Sequence, residues 1–244
     1  MDSILTAAVK DDTFGSDWRP GTGALTCKRQ ETGRRAFFRR GVAAAAASAV
    51  AVCAGRSACA NNPNFLPSLY FGENVREFEA IQTHENTHVA FLVNALGANA
   101  RPKPSFVNLT QPNLVTFVQT SRSLENTGVG AYLGAAPIIF NKAYLAAAGS
   151  IVTIEARHSG YINVLLNKIM TDNAAGDVVN FDVPLTVDEV VDAAGPLITS
   201  LNGGPPLTFS TTPSAANDIA ILNFALALEY LEAEFYNINV PRFT

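Results

Sequence analysis

The sequence predicts an all-α protein, a bundle of four long helices with ligands arranged on facing helices. Three observations carry that expectation. Long stretches with apolar residues at helical spacing are separated by Gly, Pro and Asn punctuation in a chain that is 48% hydrophobic and only 16% charged. Two of these stretches echo each other: ENTHVAFLVNAL from Glu85 and EARHSGYINVLL from Glu155 each place a His three residues after the Glu, at His88 and His158. Two others place a Tyr seven residues after a Glu, as Glu125 with Tyr132 and Glu229 with Tyr236. A Glu and a His three apart on a helix share a face, with Cβ atoms about 5–6 Å apart, so each pair can reach one cation. Two such pairs, plus one Glu from each of two further helices, are the ligand set of a di-metal four-helix bundle.

Residues 1–60 differ in composition from the rest. Gly33-Arg34-Arg35-Ala36-Phe37-Phe38-Arg39-Arg40 sets paired arginines before two aromatics, an Ala/Val-rich run follows to Ala54, and Ala58-Cys59-Ala60 offers a small-x-small cleavage site. The apolar run is shorter than the about 20 residues a spanning helix needs. The segment is therefore expected to be a twin-arginine-type targeting signal, removed after Ala60. Export would be to the periplasm or the extracellular space, or to the thylakoid lumen in a plastid protein. Asp2, Asp11, Asp12 and Asp17 speak against a transit peptide ahead of it.

Residues 61–244 are then expected to form one domain without a stable membrane span. Pro63 and Pro67 interrupt a loop. A helix is expected over 74–96, with Asn74 as cap, Glu77 completing a capping box and Gly97 as the stop. Arg101-Pro-Lys-Pro104 reads as a rigid connection. A second helix is expected from about Pro112 through Tyr132, where Gly128, Gly130 and Gly134 would let a neighbouring helix approach closely. A third runs from Lys142 to about Lys168, capped by Asn141. Residues 171–213 read as a long crossover holding one short helix, opened by the Thr186/Glu189 capping box and closed before Gly195-Pro196. The last helix is expected over 215–237, with Leu222, Ala225, Glu229, Glu232 and Tyr236 on one buried stripe.

Composition narrows the chemistry. All three cysteines (Cys27, Cys53, Cys59) lie in the expected targeting segment, so thiol catalysis, iron–sulfur clusters and cysteine-ligated zinc have no ligands in 61–244. That region carries 8 Lys/Arg against 16 Asp/Glu, a balance of −8 that disfavours nucleic acid as a partner and attracts cations. All three histidines (His84, His88, His158) fall within the two motifs.

The candidate metal ligands are Glu85, His88, Glu125, Glu155, His158 and Glu229, with no catalytic residue expected beyond them. A carboxylate on an apolar stripe is costly unless paired or metal-bound. Glu125 suits a bridging or a terminal role. Glu229 matches Glu125 through its Tyr at +7, and Glu232 remains the other possibility on that helix. Tyr132 and Tyr236 are either core aromatics or hydrogen-bond donors to ligand carboxylates. Arg157 either balances the negative charge of the site or lies on the surface, and Glu234 points elsewhere, to the surface. His84-Glu85-Asn86-Thr87-His88 is formally the HExxH zinc-hydrolase motif, but its Glu-x-x-His half recurs at 155–158 and no further His completes a zinc site.

With these residues in place, the chain resembles the ferritin-like superfamily, and most closely the exported ferritin-like proteins grouped with plant desiccation-related proteins. ILNFALALEYLEAEFY (221–236) is similar to that family's first bundle helix. GVGAYLGAAP (128–137) and AAAGSIVTIEARHSGYINVLL (146–166) are similar to its third and fourth. The resemblance covers nearly all of 70–240 and implies a permuted helix order, with the family's first helix at the C-terminus. It also implies a site for two Fe ions, or two Mn, which suits an oxygen-rich ligand set. O2 or peroxide would be the small oxidant, and the setting would be stress protection. The alternatives are a non-enzymatic, stress-associated structural or binding bundle, and a zinc hydrolase. Assembly into a homo-oligomer is compatible with the sequence.

Overall fold

The computed structural model describes residues 72–243; the expected targeting segment and the loop with Pro63 and Pro67 lie outside the described residues. Among the described residues there are four long helices and one short one: α1 (Gly72–Leu96), α2 (Leu114–Ala135), α3 (Lys142–Leu165), α4 (Val187–Ala194) and α5 (Ala215–Phe243). The predicted all-α bundle is what forms, α1 packing mainly on α5 and α2 on α3.

Most boundaries follow from local chemistry. Asn113 accepts the Thr116 N–H at 2.9 Å and starts α2, and Asn141 accepts the Ala143 N–H at 2.8 Å and starts α3. Thr186 and Glu189 form the reciprocal capping box of α4. Gly97, at φ +55°, ends α1.

Three boundaries differ from expectation. α1 begins before Asn74, whose side chain is not a cap but accepts a hydrogen bond from the Tyr161 hydroxyl of α3 at 2.8 Å. α3 stops at Leu165, short of Lys168, because Asn167 turns left-handed at φ +57°. α5 continues past Asn237 through Pro241 to Phe243. Proline costs only one backbone bond so near a helix end, and the fully buried Phe243 stacks on Phe117 with 5.1 Å between ring centroids.

The crossover contains one feature that the sequence reading lacks. Strand β1 (Ser105–Phe106) pairs antiparallel with β2 (Ile198–Ser200), joining the α1–α2 connection to the crossover. Together these segments cover the outer side of α5. The Arg101 N–H donates to Asn223 Oδ1 at 2.7 Å, the Gln111 N–H to Asn239 Oδ1 at 2.8 Å, and Asn239 Nδ2 to the Leu109 carbonyl at 2.9 Å. α5 is thus buried nearly all round, not along a single stripe. The close approach at Gly130 and Gly134 is also made by this crossover and not by a helix. Leu185 donates its N–H to the Gly130 carbonyl at 2.9 Å, and its own carbonyl oxygen lies 2.0 Å from where a Gly134 Cβ would stand.

The core forms two apolar layers. One holds Phe78, Phe117, Ile162 and Phe235; the other holds Leu92, Ile139, Ile151 and Leu226. Along every long helix the candidate ligands fall between the residues of these two layers. No described helix is long and apolar enough to cross a membrane.

Candidate metal centre

All six candidate ligands meet between the apolar layers. Glu85, Glu125 and Glu155 are fully buried, and Glu229, His158 and His88 nearly so. Their ligand atoms form two groups, each within 4.8 Å: Glu85, Glu125, Glu155 and His158 in one, and Glu85, His88, Glu155 and Glu229 in the other. Glu85 and Glu155 belong to both.

The oxygens divide accordingly. Glu85 turns Oε1 toward His158 Nδ1 at 3.1 Å and Oε2 toward His88 Nδ1 at 3.2 Å. Glu155 turns Oε1 toward His88 Nδ1 at 3.0 Å and Oε2 toward His158 Nδ1 at 3.8 Å. Glu125 Oε2 lies 3.0 Å from His158 Nδ1, and Glu229 Oε2 lies 3.3 Å from His88 Nδ1. Glu85 and Glu155 thus each turn one oxygen to each imidazole, whereas Glu125 and Glu229 each face one imidazole only.

The tyrosines hold Glu125 and Glu229 by exchange across the bundle. Tyr132, on the helix of Glu125, donates to Glu229 Oε1 at 2.5 Å; Tyr236, on the helix of Glu229, donates to Glu125 Oε1. The seven-residue spacing was visible in sequence. That each Tyr serves the other helix's Glu was not, because it depends on how α2 and α5 face each other.

Metal ions fit these residues better than hydrogen bonds alone do. Each Nδ1 carries at most one proton but faces oxygens of three carboxylates. Glu85 Oε1, both oxygens of Glu155 and Glu229 Oε2 are buried with no hydrogen-bond partner, a costly arrangement for charged groups. Metal–ligand bonds of about 2.1 Å place adjacent ligands about 3 Å apart, close to the spacings found. Electrostatics reads the same way. Burial alone would lower the His88 pKa, but hydrogen bonds with Glu155, Glu229 and Glu85 outweigh it and raise it to about 12. Burial likewise opposes, and Glu125 reverses, the shift of His158, which ends well above the ordinary value. Burial pushes Glu125 up to about 7 and Glu229 well above the carboxylate range, their imidazole partners opposing.

His84 does not behave as a zinc ligand beside His88. It is exposed at the rim of the inward face, and its Nδ1 lies 2.9 Å from His158 Nε2 with the two ring planes nearly parallel. The two histidines of the HExxH pattern therefore serve different groups. The hydrolase reading gave His84 the wrong role; its i,i+4 spacing from His88 was the signal that it sits near the same face. Glu232 is 3% exposed but belongs to neither ligand group. Arg157 is exposed, and Glu234 pairs with Lys103 Nζ at 2.5 Å.

A family model described as a ferritin-like domain matches residues 24–168 and 217–244, skipping the stretch that holds α4 and β2. The part of the match over 24–71 lies outside the described residues. No curated protein and no solved structure matches the chain.

Proposed function

The chain belongs to the ferritin-like domain family, and from that premise we propose that it is an exported member holding two Fe or Mn ions for redox chemistry with O2 or peroxide. Glu85 and Glu155 would be shared by both ions, Glu125 and His158 would hold one, and His88 and Glu229 the other. The observation that carries this reading is the division of oxygens: each bridging carboxylate gives one oxygen to each imidazole. When bound, a pair of redox ions supplies two electrons together, which reduces O2 or peroxide without releasing a radical. The oxygen-rich, imidazole-poor donor set favours Fe or Mn over copper.

The chain's own residues do the rest. Tyr132 and Tyr236 fix the orientation of the terminal carboxylates, and the apolar layers keep bulk water from both ends of the site. Two crevices lie in the surrounding core, lined by none of the six residues themselves, with free volumes of about 20 Å³ beside Tyr132 and about 10 Å³ beside Gly128 and Glu232. Each has room for about one water-sized molecule, which suits a small oxidant. The twin-arginine segment belongs to this reading, since that route carries folded, metal-loaded proteins, as do the permuted helix order and a role in desiccation or other stress.

Anaerobic loading with Fe(II), followed by O2 or hydrogen peroxide and read by absorbance, tests the proposal. The expected result is rapid oxidation of two Fe(II) per chain, abolished in Glu155→Ala. Oxidation no faster than in buffer would overturn it in favour of a non-enzymatic bundle.

A further inference from the structure

The two crevices in the core adjoin where α2 faces α5. The larger, of about 20 Å³, is lined by apolar side chains and Tyr132, among them Ala131 and Ala135 of α2 and Ala225 and Leu228 of α5. Of its lining residues only Ala131 and Ala225 are half-buried and the others are buried, so its mouth lies between these two. Leu228 also lines the second crevice, of about 10 Å³, and so stands between the two. Gly128 lines that inner crevice, and a Cβ on it would be 3.6 Å from Glu155 Oε2. This oxygen is buried and has no hydrogen-bond partner. Mouth, apolar chamber, Leu228 and inner chamber thus run in series from the surface to a candidate ligand. An apolar cavity stays dry and takes apolar guests. Hydrogen peroxide would leave its hydrogen bonds to water behind at the mouth, which is costly unless they are replaced. The one hydroxyl inside, that of Tyr132, already donates to Glu229 Oε1. O2 has no such bonds to lose.

We propose that the gap between α2 and α5 is the entry path for O2, with Ala131 and Ala225 at its mouth and the Leu228 side chain as the partition that O2 passes to reach the buried cluster. This rests on the redox reading and deepens it: the path selects O2 over peroxide, and Ala225 and Leu228 set that preference without touching a ligand carboxylate.

Two measurements on the full chain test this. The first is anomalous diffraction from crystals pressurised with krypton, an apolar atom close to O2 in size. It is expected to place krypton beside Tyr132 in the wild type and none there in Ala225→Leu, whose longer side chain fills the crevice. Krypton absent from that crevice in the wild type, or present alike in the variant, would overturn the path. The second is stopped-flow absorbance after anaerobic loading with Fe(II). The wild type is expected to react faster with O2 than with hydrogen peroxide. Ala225→Leu is expected to lower the second-order rate constant for O2 at least about tenfold, equivalent to about 1.4 kcal/mol of barrier. A wild type oxidised as fast by peroxide as by O2, or an unchanged O2 rate in Ala225→Leu, would overturn the inference and leave the two-ion site standing. A wild type that binds Fe(II) but reacts with neither oxidant would overturn the redox reading and this inference together. If Ala225→Leu does not fold by circular dichroism, Leu228→Ala decides. Krypton extending into the crevice beside Gly128, with faster reaction with O2, supports the path; unchanged density and rate reject it.

Discussion

Tyr236 and His84 both touch candidate ligands, one at a buried carboxylate oxygen and one, from the rim, at a buried imidazole. Tyr236→Phe removes the donor to Glu125 Oε1 and leaves that oxygen buried without a partner. The expected cost is about 1–3 kcal/mol of stability, read by urea denaturation after chelation, with ion affinity about 10–100-fold lower. Tyr132→Phe should act alike through Glu229. His84 matters through its 2.9 Å contact with His158 Nε2. With His158 Nδ1 turned to the carboxylates, the Nε2–H donates to His84 Nδ1 and fixes the ring. His84→Ala is expected to lower Mn(II) affinity about tenfold, and His84→Gln, which keeps an acceptor, to restore much of it; equal affinities in calorimetry would show that the contact is incidental. At this scale the buried Glu/His cluster was legible because a carboxylate has few reasons to lie on an apolar stripe. Glu229 and Glu232 could not be separated, since both lie on the buried side of α5; the 3.3 Å contact of Glu229 Oε2 with His88 Nδ1 separates them.

The helices themselves were legible wherever one residue's chemistry marks the end, as at Asn113, Asn141, Thr186 and Gly97. Asn74 had the same appearance and a different partner, because a tyrosine on α3 competes for its oxygen. Strands of two and three residues are too short to show alternation, so the β1–β2 ladder left no pattern to read. The cover it forms over α5 was hidden with it, and so was the crossover's approach to α2. Glycine substitutions probe that approach. Gly134→Ala would drive a methyl group into the Leu185 backbone carbonyl, and the expected loss is about 1–3 kcal/mol or more. Gly149→Ala, on α3 with open space around it, should instead stabilise by about 0.5–1 kcal/mol. Urea midpoints of the two variants, shifted in opposite directions, would confirm the close approach; equal shifts would deny it.

Across the whole molecule, a layer of carboxylates and imidazoles lies between two apolar layers, and its charge has to be balanced by protons or by cations. This gives stability an unusual pH dependence once ions are chelated. Glu125, raised to about 7, and His88, raised to about 12, both favour the protonated native state. The contribution of each is complete below the ordinary values of about 4.5 and 6.5 and is lost as pH climbs through the raised ones. Glu229 adds to the same trend, and the mostly exposed His84, lowered by burial and by His158, opposes it weakly. In chelator the melting temperature is therefore expected to fall from pH 5 to pH 9. Mn(II) should raise it most at the alkaline end, where fewer protons compete for the ligands. A melting temperature that rises with pH in chelator would contradict this balance. The most direct test of the paired-ion site is anomalous diffraction from Mn(II)-loaded crystals. Two peaks per chain, about 3.5–4 Å apart and both within bonding distance of Glu85 and Glu155, are the predicted result; a single peak, or two that share neither carboxylate, would contradict it.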